Sequence, residues 1–530
     1  MQNSWLTLLP PIIVLLSSLL TKRITLSLIL GIISASFIAN DFMILNSIKL
    51  IFVHIFEQFK EIDNYFFIGL IFLLGTLIAL ISNTGGIQAL GNLISKKSKS
   101  KIGAETSSVI LSFILFIDDY LSMLTVGHVM RPITDKYRIP RVKLAFFSAT
   151  IAGALAIIIP ISTWLGVILS YLSNAGISLD TAYKPLILAD PFYVYLQSTP
   201  FIFYTIIIIC SILFIIKQKI SYGPEHTQEK IAKETGNLFG GKKPLLVNNH
   251  TEENTAKTSI VDFFVPIGIL ISSILIGIPY SGNYYIFGGN NGLLKSFQTA
   301  NAPLVLFLSG IFALTVAFIF SFLRNKIKAN QIPQIVKSGF QMTFSSVLLI
   351  LLAWIFGSFL KQDLKTGHYL AGILIGAINI NFLPCMIFLV SFAIGIAIGS
   401  TWGTIAIMVP IIVPMIISFL NLQTPTDLAN LNILFPCLGA LFSGSVAGNH
   451  LSPISDSTIM SSSSVGAYAT DLLKVRYSYT IPSIIATAIS FLVVGFFINT
   501  SYIISIIASL TTGIILSMLL LKLSNNYLKK

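Results

Sequence analysis

The chain has 530 residues, of which 55% are hydrophobic and 10% charged, and its mean hydropathy is +0.86. Soluble domains carry about a quarter charged residues, so this composition excludes a soluble globular protein and indicates a polytopic membrane protein. The formal net charge of +13 does not indicate a nucleic-acid partner, because the basic residues cluster in short loops between apolar runs. Such clusters mark cytoplasmic loops and give the orientation of each predicted element.

Two apolar runs, 5–20 and 24–39, open the chain. Lys22 and Arg23 join them, which predicts a transmembrane helix pair with its turn in the cytoplasm. Residues 46–60 then alternate polar and apolar side chains at helical spacing. This pattern is typical of an amphipathic helix at the membrane interface.

Two aspartates, Asp118 and Asp119, lie between apolar arms at 105–117 and 120–130, and basic residues precede and follow this segment. Each arm reaches about 20 Å as a helix, less than the roughly 30 Å of the hydrocarbon core. The pattern predicts a re-entrant hairpin that enters and leaves on the cytoplasmic side, with the aspartates near its tip. The alternative is one continuous span with a buried aspartate pair, which would place the basic loop after Arg131 outside.

A long apolar run at 144–172 is interrupted by Pro-Ile-Ser-Thr-Trp at 160–164, which predicts a broken transmembrane helix. Residues 201–216 return to the cytoplasm. The next segment, 217–257, is the only long polar stretch of the chain and carries seven lysines. We expect a flexible cytoplasmic linker there.

The second half of the chain repeats this order of elements. Apolar arms at 382–398 and 405–419 flank Gly-Ser-Thr-Trp-Gly-Thr at 399–404, and a second broken helix follows, interrupted at Pro453. A hairpin followed by a broken helix in both halves indicates inverted-topology repeats with a site at their interface. The predicted fold class is therefore an all-α polytopic membrane protein with two inverted repeats, each containing a re-entrant hairpin and a broken transmembrane helix. The predicted domains are an N-terminal transmembrane helix pair (1–45), repeat 1 (46–216), the polar linker (217–257), connecting transmembrane helices (258–327), repeat 2 (328–498) and a C-terminal transmembrane helix (499–530).

The stretch at 449–464, N-H-L-S-P-I-S-D-S-T-I-M-S-S-S-S, places hydroxyls, a proline and a carboxylate among apolar segments. Polar groups at membrane depth are costly unless they line a cavity or bind a ligand. Pro453 frees backbone carbonyls, and the helix that restarts after it directs N–H groups and a positive dipole end inward. Discontinuous helices of this kind carry the ion and substrate sites of secondary transporters.

Four motifs resemble the signature motifs of the NhaC-type sodium/proton antiporters: I-D-D-Y at 117–120, P-I-S-T-W at 160–164, G-S-T-W-G-T at 399–404 and L-S-P-I-S-D-S-T-I at 451–459. The resemblance implies an ion-transporter-superfamily fold, a homodimer with elevator-like movement, and exchange coupled to sodium or protons. Some relatives carry small organic acids or amines instead. Two departures remove negative charge near the expected cation site. Asn449 stands where the family commonly has an acidic residue, and 148–150 lacks an aspartate that the family tends to carry.

The candidate cation or substrate site combines carboxylates with hydroxyl, amide and imidazole groups of the four motifs. Its members are Asp118, Asp119, Ser162, Thr163, Ser400, Thr401, Thr404, Asn449, His450, Ser452, Ser455, Asp456 and Thr458. Hard oxygen ligands suit Na+, and the candidate Na+ ligands are Asp456, Ser455 and Ser162. Adjacent carboxylates repel, so one member of the aspartate pair can hold a proton near neutral pH, as an antiporter needs.

Simpler interpretations stand beside each of these roles. Asp456 can serve as the N-cap of the restarted helix, and Asp118 and Asp119 can face cytoplasmic water. His450 can be a packing residue or can handle protons. The choice between these interpretations depends on what each side chain contacts.

The predicted function is a secondary antiporter that exchanges Na+ for H+ by alternating access in the bacterial inner membrane, with a cytoplasmic C-terminus. The alternative is an ion-coupled exchanger of a small organic acid, amino acid or amine on the same scaffold, and a channel is a third class. No nucleotide-binding loop, nucleophile–base pair or metal-ligand cluster is legible, so we expect neither an enzyme nor a cofactor, and Na+ is cargo rather than a resident metal. The expected partners are Na+, H+, membrane lipids and a second copy of the chain.

Overall fold

The computed structural model describes residues 4–181, 184–245, 259–498 and 500–528, and the described chain is almost entirely helical. The helices before the polar linker, and the one within it, are α1 Leu9–Thr21, α2 Ile24–Ala39, α3 Ile44–Gln58, α4 Ile62–Asn83, α5 Gly86–Lys97, α6 Lys101–Ile114, α7 Asp119–Lys136, α8 Arg141–Ile158, α9 Thr163–Asn174, α10 Pro191–Ser198, α11 Phe203–Gln218 and α12 Gly223–Thr235. The helices after it are α13 Val261–Ser281, α14 Leu293–Thr299, α15 Ala302–Leu323, α16 Ile332–Ser358, α17 Thr366–Leu374, α18 Leu383–Ile398, α19 Thr401–Phe419, α20 Leu434–Leu451, α21 Asp456–Val465, α22 Ala469–Phe497 and α23 Tyr502–Leu528. Three two-residue strands, β1 Ile177–Ser178, β2 Ile187–Leu188 and β3 Thr426–Asp427, form a small parallel sheet in that order.

Ten helical segments of the described chain are long and apolar enough to cross a membrane. A segment that crosses lipid must satisfy its own backbone hydrogen bonds, as a helix does. These helices therefore confirm the predicted all-α polytopic membrane class. Helices α1 and α2 have only 13 and 16 residues, fewer than the about 20 that a span needs. That this pair crosses the membrane stays a prediction.

Two parts of the fold share one plan. We call α6–α9, residues 101–174, the first unit and α18–α21, residues 383–465, the second unit. In each unit two helices meet at a short tip, and a helix interrupted by four residues follows; the tips are 115–118 and 399–400, and the breaks are 159–162 and 452–455.

The first unit begins with a true helix hairpin. Tyr137, just after α7, donates a hydrogen bond from its hydroxyl to the carbonyl of Ser98, just before α6, at 3.1 Å. The two ends of the hairpin therefore lie together, and the alternative of one continuous span is wrong. The arms differ from the apolar runs, since α7 continues through basic residues to Lys136 and has 18 residues.

The second unit is closely packed because glycines face each other across its helices. A Cβ atom added to Gly448 on α20 would lie 2.5 Å from the carbonyl oxygen of Phe392 on α18, and one added to Gly395 would lie 3.0 Å from the Cα of Gly448. Helix α21 packs in turn against α7 and α8 of the first unit. The two tips and the two breaks are thereby brought to one region.

The first part of the polar linker is helical, which differs from the expectation of a structureless segment at 217–257. Residues 223–235 form α12, because Lys143 on α8 is buried and takes its counter-ions from this helix. Lys143 Nζ lies 2.9 Å from carboxylate oxygens of Glu225 and Glu229 on α12, and 3.1 Å from Glu105 on α6. Residues 246–258 of the linker lie outside the described residues.

Candidate functional site

The tip of the first hairpin is fixed to the first break by Asp118. Its Oδ1 accepts a hydrogen bond from the backbone N–H of Leu121 at 2.8 Å, so Asp118 is the N-cap of α7. Its Oδ2 accepts from the hydroxyl of Thr163 at 2.9 Å, and the N–H of Thr163 donates to the carbonyl of Ile117 at 2.8 Å. Asp118 therefore caps one helix and contacts the start of another, and both of its carboxylate oxygens accept hydrogen bonds from the protein.

Asp119, the first residue of α7, is 7% exposed and hydrogen-bonded across the same junction. Its Oδ1 accepts from the indole Nε1 of Trp164 at 3.0 Å. A buried carboxylate is costly without such a donor. The indole of Trp164 also packs 4.4 Å, centroid to centroid, from that of Trp402 at the second tip.

Asp456 connects the second break to the first unit. The N-cap of α21 is Ser455, and Asp456 occupies the first helical turn. Its Oδ2 accepts a hydrogen bond from the hydroxyl of Tyr120 on α7 at 2.9 Å. The interpretation of Asp456 as the helix cap is therefore wrong, and its carboxylate is available between the two units.

Asn449 holds the second tip against the second break. Its Nδ2 donates to the carbonyl of Gly399 at 3.0 Å, and its Oδ1 accepts from the hydroxyls of Ser455 at 3.0 Å and Ser457 at 2.9 Å. A carboxylate has no hydrogen to donate to Gly399, which gives the amide a physical reason for standing here. Gly399 has φ of 71°, and an added Cβ would lie 2.7 Å from Ile454, so a larger residue does not fit.

Two adjoining cavities lie between the tips and the breaks. The smaller has a volume of about 20 Å³, enough for one water-sized ligand; the larger has about 490 Å³. Six residues line both: Asp119, Tyr120, Trp164, Ser400, Trp402 and Asp456. Asp118 and Thr163 line the larger cavity, and Thr401, Asn449, His450 and Ser457 line the smaller. Among these described lining residues there is no lysine or arginine, so the fixed charge of the walls is negative.

Five of the predicted site residues lie behind the cavity walls rather than in them. The hydroxyl of Ser162 donates to the carbonyl of Ala156 at 2.6 Å, and that of Thr404 donates to the carbonyl of Ser400 at 3.0 Å. The other three, Ser452, Ser455 and Thr458, are buried around the second break. Of the candidate Na+ ligands, Asp456 alone lines the cavities; ligation by Ser455 or Ser162 stays a prediction.

His450 is held by a tyrosine. Its Nδ1 lies 2.9 Å from the hydroxyl of Tyr204 on α11, in a buried position. The opposite ring nitrogen, Nε2, lies beside Gly153, 3.6 Å from the position of an added Cβ. The ring therefore closes the back of the smaller cavity, which suits packing and leaves one nitrogen directed at α8.

Sequence reasoning missed Tyr120 and Arg476. Arg476 is fully buried on α22. Its Nη1 donates to the hydroxyl of Thr458 at 2.6 Å and to the carbonyl of His450 at 3.4 Å, so it joins both sides of the second break. The signal available in the sequence was its position between Leu472 and Tyr479 on the apolar face of a helix.

A polytopic membrane protein with a polar site built from interrupted helices is typical of the secondary transporters. The chain belongs to the Na+/H+ antiporter family, which matches residues 155–496. This confirms the family resemblance predicted from the four motifs.

Three further similarities accompany the family match. The chain is 26% identical over 506 residues to an uncharacterized protein of Haemophilus influenzae, covering 93% of this chain and 92% of the relative. Among solved structures, Neisseria gonorrhoeae MtrF, described as illuminating a class of antimetabolite efflux pumps, is 16% identical with a TM-score of 0.49, covering 81% of this chain and 82% of that one. The Alcanivorax borkumensis YdaH transporter is 12% identical with a TM-score of 0.49, covering 86% and 89%.

Proposed function

We propose that this transporter exchanges Na+ for H+ by alternating access. The observation that carries the proposal is the smaller cavity, whose volume of about 20 Å³ suits a single ion and whose wall contains the carboxylates of Asp119 and Asp456. The hydroxyls of Ser400 and Thr401 at the second tip add neutral oxygen ligands.

Exchange follows from competition for the same carboxylates. A proton on Asp456 removes negative charge from the cavity and weakens its attraction for Na+, whereas bound Na+ favours the ionised carboxylate. The two cargoes therefore occupy the site in turn. Tyr120 donates its hydrogen bond to the same carboxylate, so the state of Asp456 is transmitted to the hairpin of the first unit. No covalent step is needed, and we propose transport rather than enzymatic chemistry.

Everted membrane vesicles test this proposal directly. A pH gradient is established, Na+ is added, and its collapse is followed with a pH-sensitive dye. We expect a Na+-dependent collapse that is absent from vesicles without the protein. Correctly inserted protein that gives no response to Na+ contradicts the proposal.

We further propose that the chain lies in the bacterial inner membrane as a homodimer surrounded by lipid, with its C-terminus in the cytoplasm. In this arrangement the two units belong to repeats of opposite orientation, so the first tip is reached from the cytoplasm and the second from outside. Single cysteines introduced beside the tips and labelled from each side of the membrane test the orientation. Labelling of both tips from the same side alone contradicts it.

The larger cavity favours a second candidate, the exchange of an organic ammonium ion. A volume of about 490 Å³ exceeds the need of a bare ion, and three carboxylates and an indole pair are the groups that recognise organic cations. The absence of basic residues among the described lining residues disfavours an organic acid. A thermal-shift screen of Na+, organic amines and organic acids separates these cargoes, and stabilisation by acids alone contradicts both candidates.

A further inference from the structure

Arg476 on α22, beside the second unit, is a buried positive charge that the proposed exchange does not use. In the described part of the chain no carboxylate lies within 4 Å of the Arg476 guanidinium. Its contacts are the hydroxyls of Thr458 and Ser457 and one carbonyl, and its Nε makes no hydrogen bond. Arginine does not lose its proton in proteins, so this position is positively charged throughout the transport cycle.

Burial of an unpaired cation destabilises the folded protein. Hydrogen bonds to hydroxyls alone do not require a charged side chain. A neutral glutamine amide can donate to the same hydroxyls at no electrostatic cost. Hydrogen bonding alone therefore does not explain why the side chain at this position is charged. The explanation depends on which groups lie near the guanidinium.

One hydroxyl separates Arg476 from the ion cavity. Ser457 Oγ lies 3.3 Å from Nη1 of Arg476 and donates to Oδ1 of Asn449 at 2.9 Å. Both Ser457 and Asn449 line the smaller cavity. At an effective dielectric constant of about 20, a unit charge roughly 6–10 Å away changes the affinity for a second unit charge by roughly ten- to a hundredfold.

We propose that Arg476 acts as an internal cation on the Asn449 side of the site. Its charge stands in the place of a second transported cation, so the cavity binds one Na+ at a time, on the side of Asp119 and Asp456. Arg476 touches no cargo and acts through Ser457 and Asn449, as a positioning residue that limits the number of bound ions. This inference rests on the proposed Na+/H+ exchange.

The first experiment measures Na+ binding to purified protein for wild type, Arg476→Gln and Arg476→Lys. We expect Arg476→Gln to raise the affinity for Na+ about tenfold or more and to slow turnover, because the bound ion leaves less readily. Arg476→Lys keeps the charge, and its affinity should stay within about threefold of wild type by the same electrostatic argument. If Arg476 only holds the two sides of the second break together, both variants should instead bind Na+ more weakly than wild type. Equal or lower affinity in Arg476→Gln, or equal behaviour of the two variants, overturns the inference.

The second experiment places an acid beside Arg476. In Asn449→Asp the new carboxylate is neutralised by the guanidinium, so the Hill coefficient for Na+ should stay near that of wild type. In the double variant Asn449→Asp with Arg476→Gln, the uncompensated acid should bind a second Na+ and raise the Hill coefficient toward about two, since an opposite charge at short range favours ion binding. A Hill coefficient near two for Asn449→Asp alone overturns the inference. If Arg476→Gln does not fold, the Hill coefficient of Asn449→Asp alone is the deciding measurement.

Failure of the proposed exchange and failure of the role of Arg476 give different results. A wild-type protein that neither binds nor exchanges Na+ contradicts the proposed function, and the inference with it. If the wild type binds Na+ and both Arg476 variants bind it more weakly, the result contradicts the inference but not the proposed function.

Discussion

The two units use one backbone plan but place their chemistry in opposite positions. The first unit has carboxylates on its tip, Asp118 and Asp119, and hydroxyls at its break. The second has hydroxyls on its tip, at Ser400 and Thr401, and its carboxylate, Asp456, directly after its break. Because tip and break of each unit meet those of the other, one cavity receives negative charge from both units. Neither unit alone provides the whole site.

A buried basic residue lies in the first unit and another lies beside the second, and their charges are balanced differently. Lys143 of the first unit contacts three glutamates and is 4% exposed. Arg476, beside the second unit, contacts neutral oxygens. The first arrangement ties a helix of the linker to the transmembrane part, whereas the second leaves a net positive charge next to the smaller cavity.

Removal of the Asp456 charge, directly after the second break, should have the largest effect. Asp456→Asn keeps the size of the side chain and a hydrogen-bond acceptor for Tyr120 but deletes the carboxylate. We expect transport to fall at least about 100-fold with little change in membrane abundance, because cation attraction is lost while packing survives. Vesicle flux and immunoblots, measured side by side, check this.

The control for this variant is Asp427→Asn, at an exposed position of β3, which should transport like wild type. Normal flux in Asp456→Asn contradicts the site assignment.

Loss of the balanced basic residue should affect stability most. Lys143→Met leaves buried glutamates without their counter-ion, which typically costs about 3–5 kcal/mol of the free energy of unfolding. We expect a clear drop in the melting temperature of the detergent-purified protein. Lys101→Met removes a lysine whose side chain is 45% exposed and pairs with Glu229, and it should cost less than about 1 kcal/mol. Similar melting temperatures for the two variants would contradict the structural role of Lys143.

Uncoupling of the two units should have an intermediate effect. Tyr120→Phe deletes the hydroxyl that joins α7 to the Asp456 carboxylate. A hydrogen bond to a charged group is worth about 1.5–3 kcal/mol, so we expect Na+/H+ exchange to fall about tenfold. Tyr137→Phe removes a hydrogen bond to a neutral carbonyl outside the cavity, and its exchange should stay within about twofold by the smaller energy of a neutral bond. Flux normalised to protein amount distinguishes them, and equal losses would show that the Tyr120 contact has no special role.

The smallest effect is expected inside the first unit. Thr163→Val removes the hydroxyl bonded to Asp118, while the helix cap to Leu121 remains. We expect transport to fall by a few-fold, about 1 kcal/mol, and Thr163→Ser to restore it. Thr487→Val removes an intrahelical hydroxyl contact on α22 and serves as the matched control. If Thr163→Ser is as impaired as Thr163→Val, the methyl group rather than the hydrogen bond matters.

Much of the architecture could be predicted because it depends on local properties. The length of apolar runs decides which segments become membrane helices, and Pro160 and Pro453 mark both helix breaks to within a few residues. The pairing of a hairpin with a broken helix in each half was also legible from the order of the elements. The bounds of the helices were less accurate, since α7 extends through basic residues that the hydropathy pattern assigned to a loop.

What the tertiary structure alone decided is which polar group meets which. Tyr120 and Asp456 are 336 positions apart, and no local pattern indicates their contact. The burial of Arg476, the cap role of Asp118 and the folding of α12 against Lys143 depend on the same long-range packing. Hydropathy and helix length act along the chain, whereas buried polar groups are stable only with partners that packing brings from distant segments. The amino-acid sequence therefore determined the membrane fold class and the places where its helices break, and the packing of the two units decided how those breaks form one charged cavity.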